Sequence, residues 1–444
     1  MDRLAHLDVR VTGPDPDGVA VVGAGWAGLA AAVELTGAGR RVTLFEAAAL
    51  PGGRARRVDH EGTALDNGQH LLLGAYRETL RLIARVADPA TVMRRERLRL
   101  RVAGELDLDC PALPAPLHLL AGLLRARGLG WADRWSALRF MTAQRLRGFR
   151  PPAPMTVRVL LAAHRQPARL CRLLWEPLCV AALNTPPELA DAATFLTVLR
   201  DGLAGPDGAS DLVHPASHLG AMLPEPALAW LGARGADVHL GEAVTAIDPD
   251  DGGWRLGTQR RESVFAQVVW ATDPVRAARQ LRHLPALEAT CALIDRLEYE
   301  PITTIYLHYS AATPSLPAAM TGHADGPGQW FFDRERSCGQ TGWVGAVISA
   351  SGSWRALPRN ALVTAVHDQL VAMTGPLAPP VDSVVITEKR ATFRCVPGMT
   401  RPGGITPAPG LVLAGDYTAG DYPATLEAAV RSGLACARHL LETP

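Results

Sequence analysis

Lysine is almost missing from this 444-residue chain: Lys389 is the only one, and arginine carries the rest of the basic side-chain charge. The bias reads most simply as the codon usage of a GC-rich genome, but it also singles out Lys389 as a place that kept a compact ammonium. No apolar run is long enough to span a bilayer, so no transmembrane helix is expected. The seven cysteines, Cys110, Cys171, Cys179, Cys291, Cys338, Cys395 and Cys436, are odd in number, scattered and never spaced CxxC. That excludes a disulfide framework and a zinc site and points to reduced, cytosolic thiols. A formal charge of +1 with 20% charged residues excludes disorder and a nucleic-acid partner. Internal repeats and low-complexity tracts are absent, and residues 1–17 lack the apolar stretch of a signal peptide, which leaves a loose leader.

What is present begins at Val19, where a short β-branched run ends in Gly23-Ala24-Gly25-Trp26-Ala27-Gly28, followed by an Ala/Leu/Val helix and a second strand closing on Glu46. Gly23 permits the tight turn, Gly25 lets backbone amides approach a pyrophosphate, and Gly28 allows helix and strand to pack closely. The helix N-terminus supplies N–H groups and dipole to the phosphates. Glu46 stands where an acid hydrogen-bonds the adenosine ribose hydroxyls. Trp26, Ala27 and Val244, the last in a strand-like run from Ala243 to Ile247, complete the cofactor-facing set at this end.

Nicotinamide and flavin dinucleotides share this fingerprint, so the choice between them rests on other segments. Pro51-Gly52-Gly53-Arg54 follows Glu46 closely, a glycine pair that runs against a cofactor with an arginine facing pyrophosphate charge. Far down the chain a buried strand ends in Gly415-Asp416, and Ala424-Thr425-Leu426 opens a helix. That aspartate suits a ribityl hydroxyl, and the helix N-terminus suits a flavin pyrimidine that turns negative on reduction. These separated pieces point to non-covalent FAD.

At these residues the chain resembles the FAD-dependent amine oxidase and polyprene desaturase superfamily over nearly its whole length. Asp66-Asn67-Gly68-Gln69-His70 through Tyr76, Trp175-Glu176-Pro177-Leu178 through Pro186, Glu388-Lys389-Arg390 through Phe393, and Pro423 through Glu427 narrow the resemblance to the hydroxysqualene dehydroxylases, or squalene-associated FAD-dependent desaturases. The resemblance implies reductive removal of a hydroxyl from hydroxysqualene, giving squalene for hopanoid or related triterpene synthesis. It also implies a polyprene substrate, peripheral contact with the inner face of the membrane, and association with the synthases that precede it in the squalene pathway. One segment departs from the family: between Tyr417 and Tyr422, where a Trp is expected, stands Thr-Ala-Gly-Asp.

The implied fold class is α/β. A Rossmann-like FAD-binding domain made from 18–75, 212–275 and 383–444 is interleaved with a substrate domain made from a largely helical 76–211 and a mixed sheet in 276–382. Catalytic candidates follow from the chemistry. Exchanging hydroxyl for hydrogen needs a proton for the departing water, a stabilised allylic cation and a hydride. Gln69 and His70 sit between glycines that can run along the flavin, and an imidazole suits proton delivery near neutrality. His70 beside a leucine run equally suits a hydrogen-bonded core residue. Glu176 on an apolar helix from Leu173 to Leu183 would be an acid of raised pKa, or else an exposed helix face, with Asn184 as the helix cap. Lys389, the one retained lysine, suits a compact ammonium or a labile proton, and related flavin oxidases use a lysine near N5 through water; a chance survivor is the alternative. Tyr417 and Tyr422 are the only aromatic residues at hand to cage an ammonium, should the substrate be an amine. Metal ligands are not expected. Gly339, Gly342 and Gly345 are mis-spaced for a second dinucleotide site, so electrons are expected from free NAD(P)H or a partner reductase. Trp131 to Arg150 mixes tryptophans with arginines and reads as an interfacial helix or as a basic surface helix.

Overall fold

In the computed structural model, which describes residues 10–310, 314–350 and 352–443, the strand leading into the glycine turn runs from Arg10 to Val22. This corrects the loose leader expected over 1–17 for residues 10–17, where the backbone pairs in parallel with Arg261–Trp270; residues 1–9 lie outside the described residues. On its other edge the strand pairs with Arg41–Glu46, and that one with Asp237–Leu240, also in parallel. An antiparallel flap, Gly253–Thr258 and Val244–Asp250, extends the sheet, and Leu411–Leu413 joins Arg261–Trp270 in parallel, making seven strands.

Parallel strands covered on both faces must be apolar throughout, and Val19 to Val22 are buried without alternation. The helix Trp26–Gly37 covers one face and buries nine residues, Trp26 to Val33 and Leu35. Its outer side takes the terminal helix Leu426–Glu442, which approaches so closely that a Cβ on Gly433 would lie 2.0 Å from the Ala27 carbonyl oxygen. Bulk at Gly433 is thus excluded by backbone, not by a flexible neighbour.

A second seven-stranded sheet runs in the order Asp382–Phe393, Tyr299–His308, Trp343–Ser349, Trp330–Asp333, Met320–Gly322, Arg99–Val102, Leu106–Asp109. It is mixed, because Met320–Gly322 meets Arg99–Val102 in parallel while the other pairings are antiparallel. Residues 76–211 contribute three strands between 93 and 109 as well as helices, since Arg99 to Asp109 alternates apolar and polar residues with a two-residue period and forms a hairpin. Asp382–Phe393 pairs along nearly its full length with Tyr299–His308, so the domain bound drawn at 383 falls inside a strand of the second sheet, and the chain returns to the first at Leu411. A small sheet of Leu72–Leu73, Leu212–Pro215 and Met93–Glu96 lies outside both large ones. All seven cysteines are free and buried. Among the described residues no helix is long and apolar enough to cross a membrane.

Candidate flavin site

The three glycines of the turn divide their work as their spacing predicts. A Cβ on Gly23, whose φ is +109°, would lie 2.6 Å from the Ala271 oxygen, and one on Gly28 would lie 1.9 Å from the Gly23 oxygen. Those two are closed by the protein's own backbone. Gly25 is different: a Cβ there would meet nothing within 4 Å. Of the three, only Gly25 leaves open space beside its Cα. Gly25 also caps the helix Trp26–Gly37, and it does so without a side-chain hydrogen bond and without an acid in the first turn, so the first N–H groups are left to an anion.

The second glycine pair packs against the first. Gly52 N–H donates to the Ala24 oxygen at 2.8 Å, and a Cβ on Gly53 would sit 3.3 Å from Gly25 Cα. Gly52 and Gly53 both have positive φ, 110° and 59°, which glycine adopts without strain. Arg54 then crosses to the far end of the chain: Nη2 meets Asp416 Oδ1 at 2.5 Å and Nη1 donates to the Ala391 oxygen at 2.6 Å. Burial opposes the Arg54 charge, and the Asp416 carboxylate more than offsets it, so its pKa lies above the ordinary value. Residues chosen from segments some 360 positions apart are therefore direct partners, with Arg54 facing Asp416 as a fixed counter-charge.

Glu46 is also engaged within the protein. Its carboxylate accepts from Ala24 N–H at 2.7 Å and Ala48 N–H at 2.8 Å, which ties the end of its strand to the glycine turn. Each oxygen retains a lone pair for a hydroxyl donor. Trp26 is buried with its indole N–H toward the Ala55 oxygen at 3.4 Å, Ala27 underlies Gly433, and Val244 opens the antiparallel flap with its carbonyl accepting from Gln280 at 2.7 Å. At the other end Thr425 caps the terminal helix, its hydroxyl accepting from Ala428 N–H at 3.2 Å, between half-buried Ala424 and Leu426. Gly415 has no room for a side chain, because Tyr417 fills it at 2.4 Å.

The departure at 417–422 has a structural meaning. Tyr417 is buried, and its hydroxyl has no hydrogen-bond partner among the described residues; the same holds for the Tyr299 hydroxyl and the Trp270 indole nitrogen. Burial, followed by the Asp416 charge, pushes the Tyr417 phenol far above its usual range, while burial raises Tyr299 to about 12. Both phenols are neutral donors at any physiological pH. Buried polar atoms left unpaired are expensive unless something bound supplies the partner. Beside Gly415, Asp416 and the glycine turn, these orphans fit a large polar cofactor. Tyr422 does not belong with them: it donates to Asp201 at 2.6 Å, and Arg431 already covers its ring at 4.4 Å, so no amine cage forms.

The Asp66 to Tyr76 segment follows a two-stranded hairpin, Arg57–His60 with Thr63–Asp66, and reaches the second sheet at Thr304. Asn67 donates to the Arg54 oxygen at 3.0 Å, and Gln69 N–H donates to the Thr304 hydroxyl at 3.2 Å. The Gln69 side chain points away from the chemistry expected of it: its Oε1 accepts from Arg334 Nη1 at 2.6 Å. Arg334 escaped the sequence reading altogether. It is 0% exposed, binds Gln340 Oε1 at 2.6 Å, stands 3.6 Å from Asp66 Oδ2 and lies 5.0 Å over the Tyr306 ring. Its only sequence signal is its place directly after the fully buried strand Trp330–Asp333.

His70 Nδ1 lies 2.7 Å from the Gly68 oxygen. A carbonyl can only accept, so Nδ1 carries the hydrogen and Nε2 is left as an acceptor. Burial lowers the His70 pKa below the ordinary 6.5. The ring is neutral near pH 7, which corrects the expectation of an imidazolium poised to give up a proton. Glu176 is corrected too. It is 29% exposed and pairs with Arg158 at 3.3 Å, so it is a surface carboxylate and not an acid isolated in an apolar cavity. Asn184 does cap its helix, in the left-handed conformation with φ 46°, and its side chain also binds Thr392 at 2.9 Å and Ala350 N–H at 2.6 Å. Lys389 is exposed, in an irregular stretch of strand two residues before the carbonyl held by Arg54. The only grouping of His, Cys, Asp or Glu with metal-ligand spacing among the described residues is His60, Glu61 and Asp382 at the surface, where His60 and Asp382 already pair with each other.

The family described as flavin containing amine oxidoreductase matches residues 26–441. The chain is 31% identical over 430 residues to a hydroxysqualene dehydroxylase of Rhodopseudomonas palustris, covering 94% of this chain and 96% of that protein. It is 25% identical over 470 residues to a zeta-carotene desaturase of Zea mays, covering 94% and 82%. Among solved structures, the cyclohexylamine oxidase of Brevibacterium oxydans superposes with a TM-score of 0.70 at 18% identity, over 96% of this chain and 98% of that one.

Proposed function

This chain belongs to the flavin-containing amine oxidoreductases, and on that premise we propose that it uses non-covalent FAD to remove the hydroxyl of hydroxysqualene reductively, giving squalene for hopanoid or related triterpene synthesis. The observation that carries the reading is the end-to-end likeness to a hydroxysqualene dehydroxylase, which exceeds the likeness to a zeta-carotene desaturase by 31% to 25%. The absence of an amine cage around Tyr417 and Tyr422 argues against an amine substrate.

In this reading the N–H groups after Gly25 hold the pyrophosphate and Glu46 takes the ribose hydroxyls with its spare lone pairs. Asp416, fixed by Arg54, takes a ribityl hydroxyl, and the Thr425 helix faces the pyrimidine. The C–O bond of the substrate breaks, the hydroxyl takes a proton from solvent and leaves as water, and a hydride takes its place on carbon. Reduced flavin, once bound, supplies that hydride. His70, neutral with Nε2 free, orients the departing hydroxyl by accepting its hydrogen. Electrons arrive from NAD(P)H or a partner reductase.

The test is anaerobic reduction of the purified flavoprotein followed by addition of hydroxysqualene. Reoxidation of the flavin band together with squalene in the extract is the expected result. Unchanged hydroxysqualene, with flavin reduction by a phytoene-like polyene instead, would overturn the proposal in favour of a desaturase.

A further inference from the structure

On the neighbouring helices Leu117–Arg125 and Trp131–Leu146, large apolar side chains face solvent. Leu117, Leu120 and Leu124 stand on one side of the first helix and are 50%, 38% and 39% exposed. Trp131 and Trp135, one turn apart on the second, are 73% and 71% exposed. Arg134 joins the two groups, donating to the Leu124 oxygen at 2.8 Å and the Ala126 oxygen at 2.6 Å while its guanidinium lies 4.8 Å from the Trp131 ring centre.

The charge around the patch is mostly positive. Between Pro111 and Arg150 the chain carries seven arginines and a single acid, Asp133, which is buried and holds the Gly130 N–H at 3.0 Å. Beside the first helix lies an open groove of about 590 Å³ lined by five arginines and two aspartates. The aspartates are spent on Arg99 and Arg101, at 3.1 and 3.0 Å. Arg97, Arg125 and Arg127 line the groove with no carboxylate partner among the described residues.

We propose that this patch docks the protein on an anionic phospholipid bilayer, with the leucines and tryptophans at the level of the acyl-chain boundary and Arg97, Arg125 and Arg127 against headgroup phosphates. Indole rings favour the interfacial zone, and arginine stems extend along apolar surface while the guanidinium stays among phosphates. Since none of the described helices can cross a bilayer, the contact is one-sided. The surface stands apart from the proposed substrate: vesicle binding does not depend on whether the enzyme takes a polyprene alcohol.

Purified flavoprotein is sedimented with phosphatidylcholine vesicles and with vesicles containing phosphatidylglycerol. Binding to the anionic vesicles is expected to be stronger on the order of tenfold and to fall at high salt. Joint Trp131→Ser and Trp135→Ser substitution abolishes it and leaves the flavin spectrum unchanged, as does joint Arg125→Gln and Arg127→Gln substitution. The proposal is overturned if the wild type stays in the supernatant with both vesicle types, or if the tryptophan variant pellets like wild type. It is equally overturned if the wild type ignores vesicles but forms a dimer that the tryptophan variant dissolves, because the patch then joins two copies of the chain.

Discussion

Around the glycine turn the first sheet is shaped by backbone: Gly23, Gly28 and Gly433 leave no room for a Cβ, and Gly25 leaves space that no protein atom enters. Across the molecule the second sheet is tied to its neighbours by long polar side chains. Arg334 joins Gln69, Gln340 and Asp66, and Asn184 reaches Thr392 and Ala350. A backbone cradle tolerates no added atoms yet asks little of side-chain chemistry. A side-chain network accepts changes of shape but suffers when one polar group is lost, because its buried partners go unsatisfied.

The sharpest break between the two modes is expected at Gly28. Gly28→Ala puts a methyl 1.9 Å from the Gly23 oxygen, so helix and strand cannot pack, and the variant should yield no folded flavoprotein by circular dichroism or flavin absorbance. Gly25→Ala meets nothing in the protein. Its apoprotein should melt near the wild type, within about 1 kcal/mol, while flavin titration shows weakened binding. Equal melting losses in both variants would erase the distinction between a structural and a ligand-facing glycine.

Next in size is Arg334→Met, which removes a buried cation and leaves Gln69 and Gln340 without a donor. A loss of about 3–5 kcal/mol in denaturant unfolding is expected. A loss below about 1 kcal/mol would mean that the second sheet, like the first, is held by backbone alone.

His214 supplies a pH test between the two sheets. It is 0% exposed in the small sheet, and neither ring nitrogen has a partner among the described residues. Burial lowers its pKa from 6.5 to about 4. The unfolded chain takes up this proton as pH falls below about 6.5 and the folded chain does not until about pH 4, so stability is full above that window and declines through it. The decline should total about 3 kcal/mol, and His214→Phe should flatten it. An unchanged slope in that variant would assign acid sensitivity elsewhere.

The smallest effect is expected where the modes meet. Glu427, at the start of the terminal helix, accepts from Thr79 N–H at 2.9 Å, Thr79 hydroxyl at 2.7 Å and Arg431 at 2.7 Å, which anchors the helix Arg77–Val86. Glu427→Gln turns a donor toward donors and should cost about 1–3 kcal/mol by thermal melting, without altering flavin content.

These contrasts also explain what could be read early. The glycine turn, the Gly-Gly-Arg loop and the Asp416 strand were legible because each is a short local pattern in which residue type dictates backbone conformation. The strands between 93 and 109 were missed because the surrounding Arg/Leu-rich sequence masks their two-residue alternation. Glu176 stood open between an acid of raised pKa and an exposed helix face, because an apolar flank does not reveal that Arg158 stands beside it.

From the amino-acid sequence alone came the dinucleotide cradle, read from the spacing of its glycines, the flavin, read from short motifs far apart in the chain, and the family, as a resemblance carried by quoted segments. Tertiary structure decided the rest: that Glu46 braces the turn, that His70 is neutral with its free nitrogen an acceptor, and that Gln69 serves Arg334. The reason is distance along the chain. Gln69 and Arg334 are 265 residues apart, and no local preference can specify a hydrogen bond whose two ends are brought together only by the packing of two sheets.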